Sequence, residues 1–200
     1  MNQEKIPTVI GFDVSTTCIG VSILHPSNPY PEIVLMDHID FNGCDDKKGT
    51  IDVTWQKVDR VREFLQKICV DIDAIFIEDP VKSFQQGMSS AQVIVKLARF
   101  NGIVSLIARD HFQKEPIYIS SGEARKLCGL KMQQRKKCGL SHKEQVFNLL
   151  NERDLKHIEW PMKKQTKKAI EEGKKPEPAG FCYDRADAYV IAKAGLSLLS

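Results

Sequence analysis

Thr8-Val-Ile-Gly-Phe-Asp13 and Ile19-Gly-Val-Ser-Ile-Leu24, with Ser15-Thr16-Thr17 between them, decide how the rest of the chain is read. The first run is short, apolar and β-branched, which predicts a buried central strand; the second predicts its hairpin partner. The first run ends on Asp13. A carboxylate at the end of a buried strand costs free energy unless a cation or hydrogen-bond donors meet it, so a metal ion or an activated phosphate is the first candidate partner. A turn aspartate capping the Ser/Thr loop is the competing reading.

Beyond the hairpin, Glu32 to Phe41 predicts a third strand after the Pro-rich link Pro26 to Pro31, which makes an antiparallel N-terminal meander. Thr54 to Val70 places Trp55, Val58, Val61, Leu65 and Ile68 at helical spacing, with Thr54 as the expected N-cap. Asp73 to Glu78 repeats the opening pattern, an apolar strand ending on a carboxylate. Ser89 to Phe112 predicts a long helix with a soft point at Asn101-Gly102; its broad apolar surface suits contact with a second copy as well as with a sheet. Pro116 to Ile119 predicts a fifth strand, Ser121 to Lys126 a short helix with Ser121 as N-cap, and Ser141 caps a further helix. Glu159 to Gly180, rich in Lys, Glu and Pro, predicts an exposed insertion or flexible loop, and Tyr183 to Leu199 a closing helix. This order matches an α/β ribonuclease-H-like domain, with a mixed five-stranded sheet flanked by helices, better than a doubly wound parallel sheet.

Length limits the function. The 200 residues suffice for one α/β domain, expected over 1–200, and are too few for two full nucleotide-binding lobes, which counts against a kinase- or actin-like cleft. An apolar fraction of 42% and a charged fraction of 28% exclude disorder throughout. No apolar run is expected to reach the length of a membrane span and the N-terminus is not a signal peptide, so an intracellular protein without a membrane partner is expected. The six cysteines lack a C-x-x-C pair and read as reduced thiols; Cys128, Cys138, His142 and His157 fit no usual zinc spacing. Charge is uneven: Ser121 to Pro176 carries 15 Lys/Arg against 7 Asp/Glu, a candidate surface for a polyanion or simply a solvated face.

Asp184, Asp187, Ala188, Ile191, Gly195 and Leu198 share one face of the closing helix. Two acids at one end of a core-facing stripe are hard to explain by packing, although acids capping a helix N-terminus remain an alternative. If the strands ending in Asp13 and Glu78 are adjacent, all four acids converge at one end of the sheet. Unneutralised, they would repel strongly; hard divalent cations with oxygen ligands, Mg²⁺ or Mn²⁺, remove that repulsion. Two such ions roughly 4 Å apart suit phosphodiester hydrolysis. The chain has no Gly-x-Ser-x-Gly elbow and no phosphate-binding P-loop.

Four pieces in order, Ile10-Gly-Phe-Asp-Val-Ser15 with Gly20, Ala74-Ile-Phe-Ile-Glu78, Ser89 through Gly102, and Asp184-Arg-Ala-Asp-Ala188, resemble the RuvC-type Holliday-junction resolvases of bacteria, phages and poxviruses. The resemblance implies metal-binding catalytic roles for Asp13, Glu78, Asp184 and Asp187, with Asp13 shared by both ions. It implies phosphate-holding roles for Arg125, Lys143 and Lys126. The family's aromatic after the glutamate is replaced by Val81 at that spacing, and Phe84 is the candidate for stacking in the junction centre. The basic inserts Lys131 to Lys137 and Lys163 to Lys175 lack a clear counterpart; Lys131, Lys136 and Lys137 are candidate DNA contacts, and the inserts point to a viral or divergent member.

These readings predict a homodimeric, Mg²⁺- or Mn²⁺-dependent endonuclease of recombination and repair. It would nick four-way DNA junctions symmetrically in an intracellular, reducing compartment. Another ribonuclease-H-like nuclease, acting on flaps, hybrids or RNA, and a non-catalytic junction-binding protein are the alternatives.

Overall fold

The computed structural model describes residues 7–44, 50–80, 91–166, 170–173 and 176–199. Three strands, β1 (Val9–Val14), β2 (Cys18–His25) and β3 (Glu32–Asp40), form the antiparallel meander; β4 (Ala74–Glu78) and β5 (Pro116–Ile119) complete the sheet. The order is β3-β2-β1-β4-β5, with β1, β4 and β5 mutually parallel. This is the mixed five-stranded sheet expected from the element order, and β1 is its buried centre.

The sheet separates two apolar layers. Ile10, Phe12 and Val14 of β1 point to one face with Ile75 and Ile77, where α1 (Thr50–Leu65) and α2 (Ala91–Phe112) pack. Val9, Ala74 and Phe76 point to the other, covered by α3 (Ser121–Leu127), α5 (His142–Glu152) and the last helix, α6 (Gly180–Leu199); α4 (Arg135–Cys138) is a single exposed turn. Strand side chains alternate, so Asp13 and Glu78 share the α6 face with Val9 and Phe76. Glycines let α6 approach. A Cβ on Gly20 would lie 2.0 Å from the Asp184 carbonyl oxygen, and one on Gly11 would lie 2.5 Å from the Ala192 nitrogen.

Several expectations are corrected. Helix α1 begins at Thr50, so Thr54 is inside it rather than its N-cap, and it ends at Leu65 because the next residues form a turn in which Ile68 N–H donates to the Leu65 carbonyl at 3.0 Å. Asp73 lies outside the strand; its carboxylate accepts from Thr8 N–H at 2.9 Å. Ser120, not Ser121, caps α3 by accepting from Glu123 N–H. Asn101-Gly102 is no soft point, since α2 continues through it and Asn101 is buried and hydrogen-bonded. Helix α2 is long and apolar enough to cross a membrane, contrary to the expectation that no run reaches that length. Its inner face, Phe100, Val104, Ile107 and Ala108, is buried in the layer over the sheet. The described residues of the expected insertion are mostly exposed, and its ends meet where Lys163 N–H donates to the Glu177 carbonyl and Ala179 N–H to the Pro161 carbonyl, each at 2.8 Å.

Far from the acids, Asp154 is buried and accepts hydrogen bonds from Tyr189 and Lys193 of α6. This network ties the end of α5 to the final helix. The six cysteines are unpaired, with Cys128 and Cys182 buried.

Candidate active site

β1 and β4 run parallel in a register that pairs Phe12 with Ile77. The next residues, Asp13 and Glu78, therefore stand side by side where the two strands end. Asp13 is 5% exposed, and the half-buried Glu78 carboxyl faces it. Burial first, and then the Asp13 charge, push the Glu78 carboxyl up to about 9.

The second pair arrives from α6. This helix starts at Gly180, three residues before the expected start, which puts Asp184 beyond its first turn and Asp187 further in. The helix dipole acts within the first turn, so N-terminal capping does not account for either acid. Their position follows instead from the backbone packing of Asp184 on Gly20, the β2 residue paired with Asp13. Asp187 is buried; burial and the neighbouring Asp13 push it up to about 7, against the pull of Lys143 and Arg125. Cys18, at the start of β2, is held above its ordinary range by burial and by Asp184.

Lys143 joins the acids. Its Nζ lies 2.5 Å from Asp184 Oδ1, 3.3 Å from Asp13 Oδ2 and 3.6 Å from Asp187 Oδ2. Burial pulls the Lys143 ammonium down, but the charges of Asp13, Asp187 and Asp184 outweigh it and raise its pKa above the ordinary lysine value. The side chain reaches this point from the first turn of α5, fixed by a capping box: Ser141 Oγ accepts from Glu144 N–H and Glu144 Oε2 accepts from Ser141 N–H at 2.6 Å. Arg125 of α3 stands 4.0 Å from Asp187.

The four expected acids and two of the expected cations thus occupy one place. Lys126 and Lys131 line an adjacent cavity of about 510 Å³ with Arg125 and His142. Lys136 and Lys137 are exposed on α4. Phe84, like Val81, lies outside the described residues. Asn101, which donates to the Glu78 carbonyl, was not among the expected residues; a polar residue on the buried stripe of an apolar helix is the signal that singles it out.

Four carboxylates at a strand end form an all-oxygen donor set of the type that hard divalent cations select. The protonation pressure on Glu78, caused by burial beside Asp13, is the stress that such a cation relieves, so the residues fit one. Among the described residues, no three His, Cys, Asp or Glu side chains already close around one point to hold an ion. Lys143 stands between three of the acids instead.

No protein-family model matches the chain, and no curated protein sequence matches it. Solved structures do. RuvC of Thermus thermophilus in complex with Holliday junction substrate is 14% identical, with a TM-score of 0.56 over 96% of this chain and 94% of that one. The yeast mitochondrial Holliday junction resolvase is 14% identical, with a TM-score of 0.53 over 98% of this chain and 81% of that one. At these identities the likeness establishes the fold: the chain has the mixed-sheet, ribonuclease-H-like architecture of the RuvC-type resolvases.

Proposed function

We propose that the chain is a structure-selective DNA endonuclease that resolves four-way junctions by paired, symmetric nicks. The observation that carries this reading is the convergence of Asp13, Glu78, Asp184 and Asp187 at the end of β1 and β4, with Lys143 and Arg125 among them. The fold likeness to resolvases over nearly the whole chain supports the choice of substrate.

In this reading two Mg²⁺ or Mn²⁺ ions, when bound, would supply Lewis-acid charge for phosphodiester hydrolysis. Asp13 would hold both, Glu78 would complete one site, and Asp184 and Asp187 the other. The chain's own groups do the remaining work. Lys143 and Arg125 bind the scissile phosphate and offset its developing charge, and burial of Asp13 and Asp187 keeps bulk water from the acids. Lys126 and Lys131, beside Arg125, together with Lys136 and Lys137, take phosphates of the neighbouring DNA arms. Paired cuts in opposing strands require two sites on a two-fold axis, and the exposed Val93 and Val95 on the N-terminal half of α2 suit apposition of a second copy.

The test is cleavage of a synthetic four-way junction in competition with duplex, flap and RNA–DNA hybrid, with Mg²⁺ or with chelator. Preferred, Mg²⁺-dependent nicking of the junction is expected, and Asp13→Asn should bind the junction but not cut it. Preference for flap or hybrid would move the chain to another substrate of the same fold. Unchanged cleavage by Asp13→Asn would overturn the site.

A further inference from the structure

Asn101 belongs to the layer on the opposite side of the sheet from the acids, yet it is tied to one of them. Its side chain is buried, and its Nδ2 donates to the Glu78 carbonyl oxygen at 2.9 Å. The paired length of β1 and β4 ends at Phe12 and Ile77. Asp79 still turns its N–H to β5, donating to the Ile119 carbonyl at 2.9 Å, so the alternation of the strand aims the Glu78 carbonyl the other way. On that side β1 offers no further partner. Asn101 supplies the missing donor.

The turn of α2 that carries Asn101 is itself tied to β5. Ser105 Oγ donates to the Asn101 backbone carbonyl at 2.8 Å and lies 3.5 Å from Asn101 Oδ1, and Tyr118 of β5 donates to Ser105 Oγ at 2.7 Å. Hydrogen bonds therefore tie β5 to α2 at Ser105, one turn along the helix from the Asn101 amide that meets the last residue of β4. An unpartnered carbonyl at this half-buried strand end would be costly and would loosen the residue that carries it.

We propose that Asn101 is a positioning residue for Glu78: it extends the pinned length of β4 by one residue, so that the Glu78 carboxyl stays against Asp13. This inference rests on the reading of the four acids as a divalent-cation site. Groups that orient ligands in this way typically contribute about 10- to 100-fold to metal affinity.

The test compares wild type with Asn101→Leu, which keeps the branched shape of the side chain and removes the donor. Calorimetry with Mn²⁺ alone and hydrogen exchange at the Asp79 amide without metal are the readouts. Mn²⁺ affinity should fall about 10- to 100-fold and the Asp79 amide should exchange faster, while junction affinity without metal stays unchanged. Unchanged Mn²⁺ affinity in a folded Asn101→Leu overturns the proposal. If Asn101→Leu does not fold, Ser105→Ala, which removes the hydroxyl that lies 3.5 Å from Asn101 Oδ1 and leaves the donor in place, carries the same test with a smaller expected loss. Failure of the wild type to bind Mn²⁺ would overturn the cation site itself, a result distinct from a wild type that binds and a variant that binds equally well.

Discussion

Gly20 lies so close to Asp184 that a Cβ would sit 2.0 Å from the Asp184 carbonyl oxygen and 2.4 Å from its carbonyl carbon. Neither is the tip of a flexible side chain; both are backbone of α6. The strand that pairs with Asp13 therefore sets the height at which the second pair of acids stands. Gly20→Ala should push α6 away from β2, destabilising the protein by about 3 kcal/mol, the upper end of overpacking costs. Cleavage should fall further than stability explains, because Asp184 and Asp187 move together away from Asp13. Urea unfolding and single-turnover cleavage at a temperature where the variant is folded check both parts.

Lys143 is the cation that three carboxylates share. Lys143→Met keeps the stem and removes the charge. Without divalent cation at neutral pH, the variant should lose about 1–2 kcal/mol, less than a fully buried pair because the Lys143 side chain is 47% exposed. Mn²⁺ should stabilise this variant more than it stabilises wild type, since the repulsion left among the acids is larger. Equal thermal shifts for the two proteins would show that the ammonium and the ion act independently.

Much of this site was legible because its parts obey short-range rules. Asp13 and Glu78 close apolar, β-branched runs, and Ser141-x-x-Glu144 is a capping box that marks where α5 begins and hence where Lys143 stands. What was not legible depends on packing between distant segments. The start of α6 at Gly180, which excludes a dipole role for the two acids, follows from no local pattern, nor does the close approach of Gly20 to the helix backbone. The Asn101-Gly102 pair carries a helix-weakening signal by propensity, and only the sheet beneath reveals that the amide is consumed by the Glu78 carbonyl. Phosphate-holding was expected of Lys143 from resemblance, whereas its place among the acids needed the fold.

The Asp154 network offers a test of stability separated from the acids. Lys193 lies nine residues along α6 from Asp184, roughly 13 Å at 1.5 Å per residue. Asp154→Ala leaves the Lys193 ammonium and the Tyr189 hydroxyl without this partner in a buried place. A loss of about 3–5 kcal/mol is expected, with Mn²⁺ affinity unchanged in the folded fraction. Asp154→Leu combined with Lys193→Met should recover most of the loss, because the pair removed as a unit leaves no unpaired charge. Denaturant unfolding of the single and double variants is the measurement.

Stability without metal should fall as pH rises, and the sign follows from the direction of the shifts. Glu78 is raised from 4.5 to about 9 and Asp187 from 3.8 to about 7, each chiefly by burial and then by Asp13. A carboxyl with a raised folded-state pKa binds its proton more tightly when folded, so its stabilising contribution is present below the unfolded value and is lost as pH climbs toward the folded one. In chelator, the melting temperature should therefore decline from about pH 4.5 to about pH 9, with Asp187 contributing up to about pH 7. Each 1 kcal/mol lost corresponds to roughly 2–4 °C for a chain of this size. Glu78→Gln should flatten the upper half of this decline, above pH 7, because a neutral amide does not titrate. Mg²⁺ should flatten it in the wild type and much less in Glu78→Gln, since the ion stabilises the charged form that the variant lacks. Thermal melts across pH 5–9 with chelator and with Mg²⁺ measure all four curves, and a melting temperature that rises with pH in chelator would contradict the burial of Glu78 beside Asp13.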